Sequence, residues 1–273
     1  MCRILGIVAD EPAEFRFCLR EAPRSLDMLS REHPDGWGVA VWGATEAWSI
    51  QKQPLSAFAD PHFCAVAGES RGQVLIAHVR RRTVGPVSIE NTHPFQRGSW
   101  VFAHNGTIAE VDRLSDGTSP ERRAEVVGTT DSELFFAYLL THLDRVGAGH
   151  SAHESKATGA DIDAVLAKAV MAVASRPTFG ACNFLLSDGH TLYAFRMGRT
   201  LHLLERSMDD EPRSVIDSPE TCSVIEARWT PRQHAVLVAS EAITDEPWRA
   251  IDEGSLLKVI RRPRPQVSVL AAL

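Results

Sequence analysis

The order of its elements restricts this chain most. Short strand-type apolar runs come first, two amphipathic helical stretches follow, and strand-type runs then return almost to the end. Apolar runs of four to eight residues bounded by turn residues predict strands over 3–9, 36–42, 74–81 and 100–104. Within 36–42, Val39 and Val41 fall on one face and Ala40 and Trp42 on the other. A mixed helical segment over 15–29 is interrupted at Pro23, and 61–67 reads as a short helix. Leu134, Phe135, Tyr138, Leu139 and Leu143 recur at helical spacing behind Thr130-Asp131-Ser132-Glu133, which has the form of a capping box. Residues 161–176 predict a second amphipathic helix. Strands are expected again over 181–187, 190–196, 200–204, 235–240 and 256–261, with Asp188-Gly189 as a turn. Strands, two helices and more strands point to stacked sheets with helices outside, in one domain over residues 1–273. Exposed loops are expected near 144–160 and 206–222.

Composition narrows the function classes. At 273 residues the chain can bury one sizeable core, and a net charge of -6 argues against a nucleic-acid or anionic-membrane surface. No apolar run reaches the ~18 residues of a membrane span, and the first residues lack a signal-peptide core. The five cysteines are scattered and form no C-x-x-C pair, which fits a reducing compartment rather than a disulfide framework. The expected setting is the cytoplasm.

Several stretches carry candidate chemistry, each with a plainer alternative. Removal of Met1 would give Cys2 a free α-amine beside its thiol. With pKa values near ~8.5 and ~7.7–8.0, the two groups would supply nucleophile and base from one residue. Equally, Cys2 reads as a small buried residue heading a strand. Period-2 geometry puts Ile76, His78, Arg80 and Arg82 on one face of the 74–81 strand. The run Arg80-Arg81-Arg82 is either a solvated face or includes a part-buried guanidinium that needs an anion. Glu90-Asn91-Thr92-His93-Pro94-Phe95 reads as a turn before a strand or as part of a site. Asn105-Gly106 is either a hairpin turn suited to positive φ or a pair of fixed donors for an oxyanion. Asp131 either complements a helix macrodipole or meets a substrate ammonium. His78, His93 and His104 match no familiar metal-ligand spacing.

Taken together, six stretches resemble the glutaminase domain of class II glutamine amidotransferases, in the N-terminal nucleophile (Ntn) hydrolase superfamily. They are Met1-Cys2-Arg3-Ile4-Leu5-Gly6, His33-Pro34-Asp35-Gly36-Trp37-Gly38, Ala77-His78-Val79-Arg80, Glu90-Asn91-Thr92-His93-Pro94-Phe95, Ala103-His104-Asn105-Gly106 and Thr130-Asp131-Ser132-Glu133. The later segment Ala239-Ser240-Glu241-Ala242-Ile243-Thr244 is similar to the closing strand and turn of stand-alone members.

The resemblance implies an α+β fold, a four-layer αββα sandwich of two stacked, mainly antiparallel sheets. It implies that Cys2 attacks the γ-carbonyl of glutamine and forms a thioester, with its α-amine moving protons. Asn105 and Gly106 would form the oxyanion hole. Arg80 would grip the α-carboxylate and Asp131 the α-ammonium, with Thr83 adding a donor near the carboxylate. Gly36-Trp37-Gly38 would shape the pocket wall. No cofactor and no metal are expected, and the partner is a small molecule, glutamine or a γ-glutamyl amide. The chain has no room for a fused synthase domain, and Arg81-Arg82 stands where sugar-phosphate amidotransferases carry Trp. Both features favour the stand-alone subgroup. Three functions stay open: ammonia release for a separate acceptor protein, hydrolysis of a larger γ-glutamyl conjugate as in ergothioneine biosynthesis, and a non-catalytic glutamine sensor.

Overall fold

The structure is a computed structural model that describes residues 2–58, 60–208 and 233–273. In chain order the strands are β1 (Arg3–Glu14), β2 (Trp37–Trp42), β3 (Trp48–Gln53), β4 (Arg71–Val79), β5 (Phe95–Arg97), β6 (Trp100–Ile108), β7 (Gly180–Ser187), β8 (Thr191–Phe195), β9 (His202–Arg206), β10 (Ala235–Ala239), β11 (Arg249–Ala250), β12 (Leu256–Ile260) and β13 (Gln266–Ala271). A π-helical turn covers Phe17–Glu21. The α-helices are α1 (Leu26–Leu29), α2 (Pro61–Glu69), α3 (Val111–Gly117), α4 (Pro120–Ala124), α5 (Asp131–Asp144) and α6 (Gly159–Ala174).

Two antiparallel sheets result. One has the order β11-β9-β10-β1-β4-β2-β3, the other β13-β12-β8-β7-β6-β5. Alternation along each strand sorts the apolar side chains into three layers. Ile4, Val8, Ala40, Val74 and Ile76 of the first sheet meet Val101, Ala103, Leu185, Ala194 and Val259 of the second, forming the inter-sheet core. The opposite face of the first sheet, with Leu5, Ile7, Val39, Leu75 and Ala77, packs under the π-helical turn, α1 and α2. On the outer face of the second, Trp100, Phe102 and Phe184 pack against α3, α5 and α6. The fold is the αββα sandwich that the sequence patterning and the resemblance imply.

Register brings the chemistry to one end of the sandwich. β4 lies between β1 and β2, with Arg3 opposite Val79 and Trp37 also opposite Val79. The residues just before β1 and just after β4 are therefore neighbours. On β2, Gly38 lets the chain entering β5 come close, because a Cβ there would sit 2.0 Å from the His93 carbonyl oxygen. Trp37 points the other way. It is fully buried against Phe63 and donates its indole N–H to Asp60, so it anchors α2 and is not a pocket wall.

Three local expectations need correction. β6 continues through Asn105 and Gly106 to Ile108, and the pair faces Asn183 and Cys182 on β7, so it makes neither a turn nor a strand end. The capping box expected at 130–133 is half formed. Thr130 accepts the Glu133 N–H at 3.4 Å, but the Glu133 carboxylate turns to the Val127 and Gly128 N–H groups and to Arg97. The full reciprocal box sits at α6, between Thr158 and Asp161. The first strand also runs past Ala9 through Pro12, with a register shift against β4 between Val8 and Ala13. The segment between α5 and α6 contains neither helix nor strand, and Ala148 and Gly149 within it are buried. The other expected loop, near 206–222, falls almost entirely outside the described residues.

Candidate active site

Cys2 precedes β1 and lies half-buried against the chain leaving β4. Its Sγ is 3.4 Å from both the N–H and the carbonyl oxygen of Arg81. Burial pushes the thiol up from its ordinary value. The Arg81 N–H, the positive charge at the chain's amino terminus and the Arg80 guanidinium act in the opposite direction, while the Asp131 carboxylate adds to the rise. Both ionic side chains thus act on the sulfur.

Of the three consecutive arginines, Arg80 is buried and Arg81 and Arg82 are exposed. The Arg80 guanidinium donates to the Val84 and Pro86 carbonyls at 2.8 and 2.9 Å, holding the following loop. A guanidinium has five N–H groups, so donors remain. No carboxylate among the described residues forms an ion pair with it. Asp131 shows the mirror arrangement at the head of α5. It is 7% exposed, its Oδ2 accepts the Ile108 N–H at 2.6 Å, and no cationic side chain among the described residues pairs with it.

Asn105 faces the gap between the sheets, where its Nδ2 donates to Ser240 Oγ at 3.2 Å. Ser240 Oγ also accepts the Ile4 N–H at 2.9 Å. One hydroxyl therefore ties the amide to β1, two residues from Cys2. An amide NH₂ carries two hydrogens, leaving one for a ligand. Beside it, only a glycine fits at 106, since a Cβ would lie 1.9 Å from the Ala181 carbonyl oxygen. Thr83 is exposed on the rim, with its Oγ1 3.4 Å from that of Thr107.

The stretch 90–95 acts as scaffolding. Asn91 accepts the Thr129 N–H at 2.8 Å and donates to Pro86, bracing the loop that Arg80 also holds. His78 and His93 lie against each other with ring centroids 4.4 Å apart and planes tilted by 35°. Burial drives His33 to about 4, His78 to about 3 and His93 well below the usual range, so all three are neutral near pH 7. Among the described residues no three histidine, cysteine or acidic side chains converge as a metal set. Ser240 is the site residue to which the sequence motifs assign no role, although it lies in the segment 239–244 that resembles the stand-alone members.

Against known proteins, the family described as class-II glutamine amidotransferases matches residues 1–269. The chain belongs to that family. Membership makes this amidotransferase homologue an enzyme of amide chemistry. It is 29% identical over 274 residues to an uncharacterized protein of Methanocaldococcus jannaschii, covering 94% of this chain and 68% of that one. It is 29% identical over 220 residues to the gamma-glutamyl-hercynylcysteine sulfoxide hydrolase of Mycobacterium tuberculosis, covering 76% and 81%. The crystal structure of a predicted glutamine amidotransferase from Pseudomonas aeruginosa superposes with TM-score 0.61 at 24% identity, over 99% of this chain and 100% of that one. That likeness concerns the fold, which is the Ntn-hydrolase sandwich of the family.

Proposed function

We propose that the protein hydrolyses γ-glutamyl amides through Cys2, exposed as the amino-terminal residue when Met1 is removed. The observation that carries this reading is the pair Arg80 and Asp131: two buried side chains of opposite charge, neither with an ion-pair partner among the described residues, both acting on the same thiol. An unpaired buried charge is costly, and a ligand that brings both complements relieves it. An α-amino-acid head group has that form, its carboxylate for Arg80 and its ammonium for Asp131.

Bound in this way, the substrate presents its γ-carbonyl carbon to Cys2 Sγ. The thiol proton passes to the freed α-amine as sulfur attacks. Negative charge develops on the carbonyl oxygen, where the second Asn105 hydrogen and the Gly106 N–H stabilise it. The C–N bond then breaks, and the α-ammonium returns the proton to the leaving amine. Water, deprotonated by the same amine, cleaves the thioester and releases glutamate and the thiol. Thr83 lies on the rim of the carboxylate end. No step requires a cofactor.

Glutamine and larger γ-glutamyl conjugates share this chemistry. A conjugate is favoured by the cavity that opens beside Asn105, about 510 Å³ and far larger than ammonia needs. The mycobacterial relative carries the name of such a conjugate hydrolase. We place the enzyme in the cytoplasm as one domain, with a separate ammonia acceptor needed only if glutamine is the substrate. The test is glutamate release from glutamine and from γ-glutamyl conjugates by the purified protein. The reading expects turnover of at least one, abolished in Cys2→Ala. Undiminished release by Cys2→Ala contradicts it.

A further inference from the structure

The cavity beside Asn105 is charged, and its charges do not cancel. Its walls include three guanidinium groups, Arg3, Arg196 and Arg199, and two carboxylates, Glu241 and Glu253. Glu241 pairs with Arg3 and, at 3.6 Å, with Arg24 from outside the cavity. Glu253 lies 3.4 Å from Arg196 Nε, and that nitrogen also donates to the Arg199 carbonyl at 2.9 Å. Both carboxylates are therefore occupied. Arg199 has no ion-pair partner among the described residues, and its Nε is buried without an acceptor. A buried donor left empty in a protein wall is unfavourable, and a planar guanidinium matches a carboxylate best.

The position of this charge gives it a meaning. Asn105 lines the cavity and stands at the proposed oxyanion, and Arg3 directly follows the nucleophile, its Nη1 3.3 Å from the Cys2 carbonyl oxygen. The glutamyl head is assigned to Arg80 and Asp131, so the cavity faces what departs from the carbonyl. Its volume of about 510 Å³ leaves room for a leaving group of several atoms, and Gly198 and Glu253 also line a second hollow of about 430 Å³.

We propose that the cavity is the leaving-group subsite, and that it selects γ-glutamyl amides whose amine half carries a carboxylate, held by Arg199. The substrate class is then a γ-glutamyl amino acid or its derivative, cleaved by water into glutamate and a free amino acid. This rests on the γ-glutamyl hydrolase reading above, which can stand without it.

Two isosteric probes separate the two claims: γ-glutamyl-alanine and γ-glutamyl-alaninamide differ only in the leaving group's negative charge. Glutamate release is followed for the wild-type protein, Arg199→Gln and Arg199→Lys, with thermal melts confirming that each variant folds. The expected wild-type preference in kcat/KM for the acid over the amide is on the order of tenfold. Arg199→Gln should lose about tenfold more on the acid than on the amide, mainly through KM, and Arg199→Lys should restore part of the preference. Equal wild-type rates on the two probes, or equal losses in Arg199→Gln, would overturn the subsite and leave the hydrolase reading intact. No glutamate from either probe or from glutamine would remove both.

Discussion

At the scale of single residues, the site depends on a few polar groups fixed by neighbours that do no chemistry. Asn105→Ala should lower kcat by about 10²–10³ with a modest change in KM, because its second hydrogen acts on charge that exists only in the transition state. Ser240→Ala leaves the amide in place but unheld. A smaller drop in kcat is expected, and combining it with Asn105→Ala should add almost nothing, since both act through one hydrogen bond. Steady-state kinetics on the three variants checks this; additive losses would give Ser240 a separate role. The sequence announced Asn105 through its glycine neighbour, but not the hydroxyl that aims it. Ser240 lies 135 positions away, and only the pairing of β1 with β10 brings it to β1.

At the scale of elements, strand and helix cores were legible because burial on one face leaves a period in the sequence. Val39 and Val41 do face the outer core and Ala40 and Trp42 the inner one. What periodicity could not supply was the fate of short polar signals. Asn105-Gly106 resembles a hairpin turn locally, yet eight residue pairs with β7 hold it in a straight strand. The edge strands β3, β5 and β13 have mixed or polar sequences, so burial leaves no clear period in them. Glu133 likewise fits a capping box, but Arg97 and two backbone N–H groups outbid the Thr130 backbone for its carboxylate. Thr130→Ala should therefore cost about 1 kcal/mol, the ordinary value of one cap bond. Glu133→Gln should cost more, because it strips a part-buried ion pair with Arg97 and weakens two bonds accepted from backbone N–H groups. Denaturant titration ranks the two; a costlier Thr130→Ala would restore the full capping box.

At the scale of the molecule, the buried histidines behind the site make folding sensitive to acid. Their pKa values are lower in the folded chain than the ~6.5 of an unfolded one, so the unfolded state binds protons first as pH falls. Stability is full above pH ~6.5 and declines below it by roughly 1.4 kcal/mol per pH unit for each such histidine. The decline ends near pH 4 for His33 and near 3 for His78. Melting temperatures should therefore fall steadily between pH 7 and 5, and a flat profile would show that these rings are hydrated. Burial also separates the cysteines. It raises Cys18 to about 11 and Cys182 well above its ordinary value, and neither is exposed, so both should resist alkylation. The most direct test treats the purified protein with an electrophilic glutamine analogue, then combines intact mass with peptide mapping. The account predicts one adduct, on Cys2, in a chain that begins at that residue. An adduct on another cysteine with Cys2 untouched, or activity in a chain that still carries Met1, would contradict it.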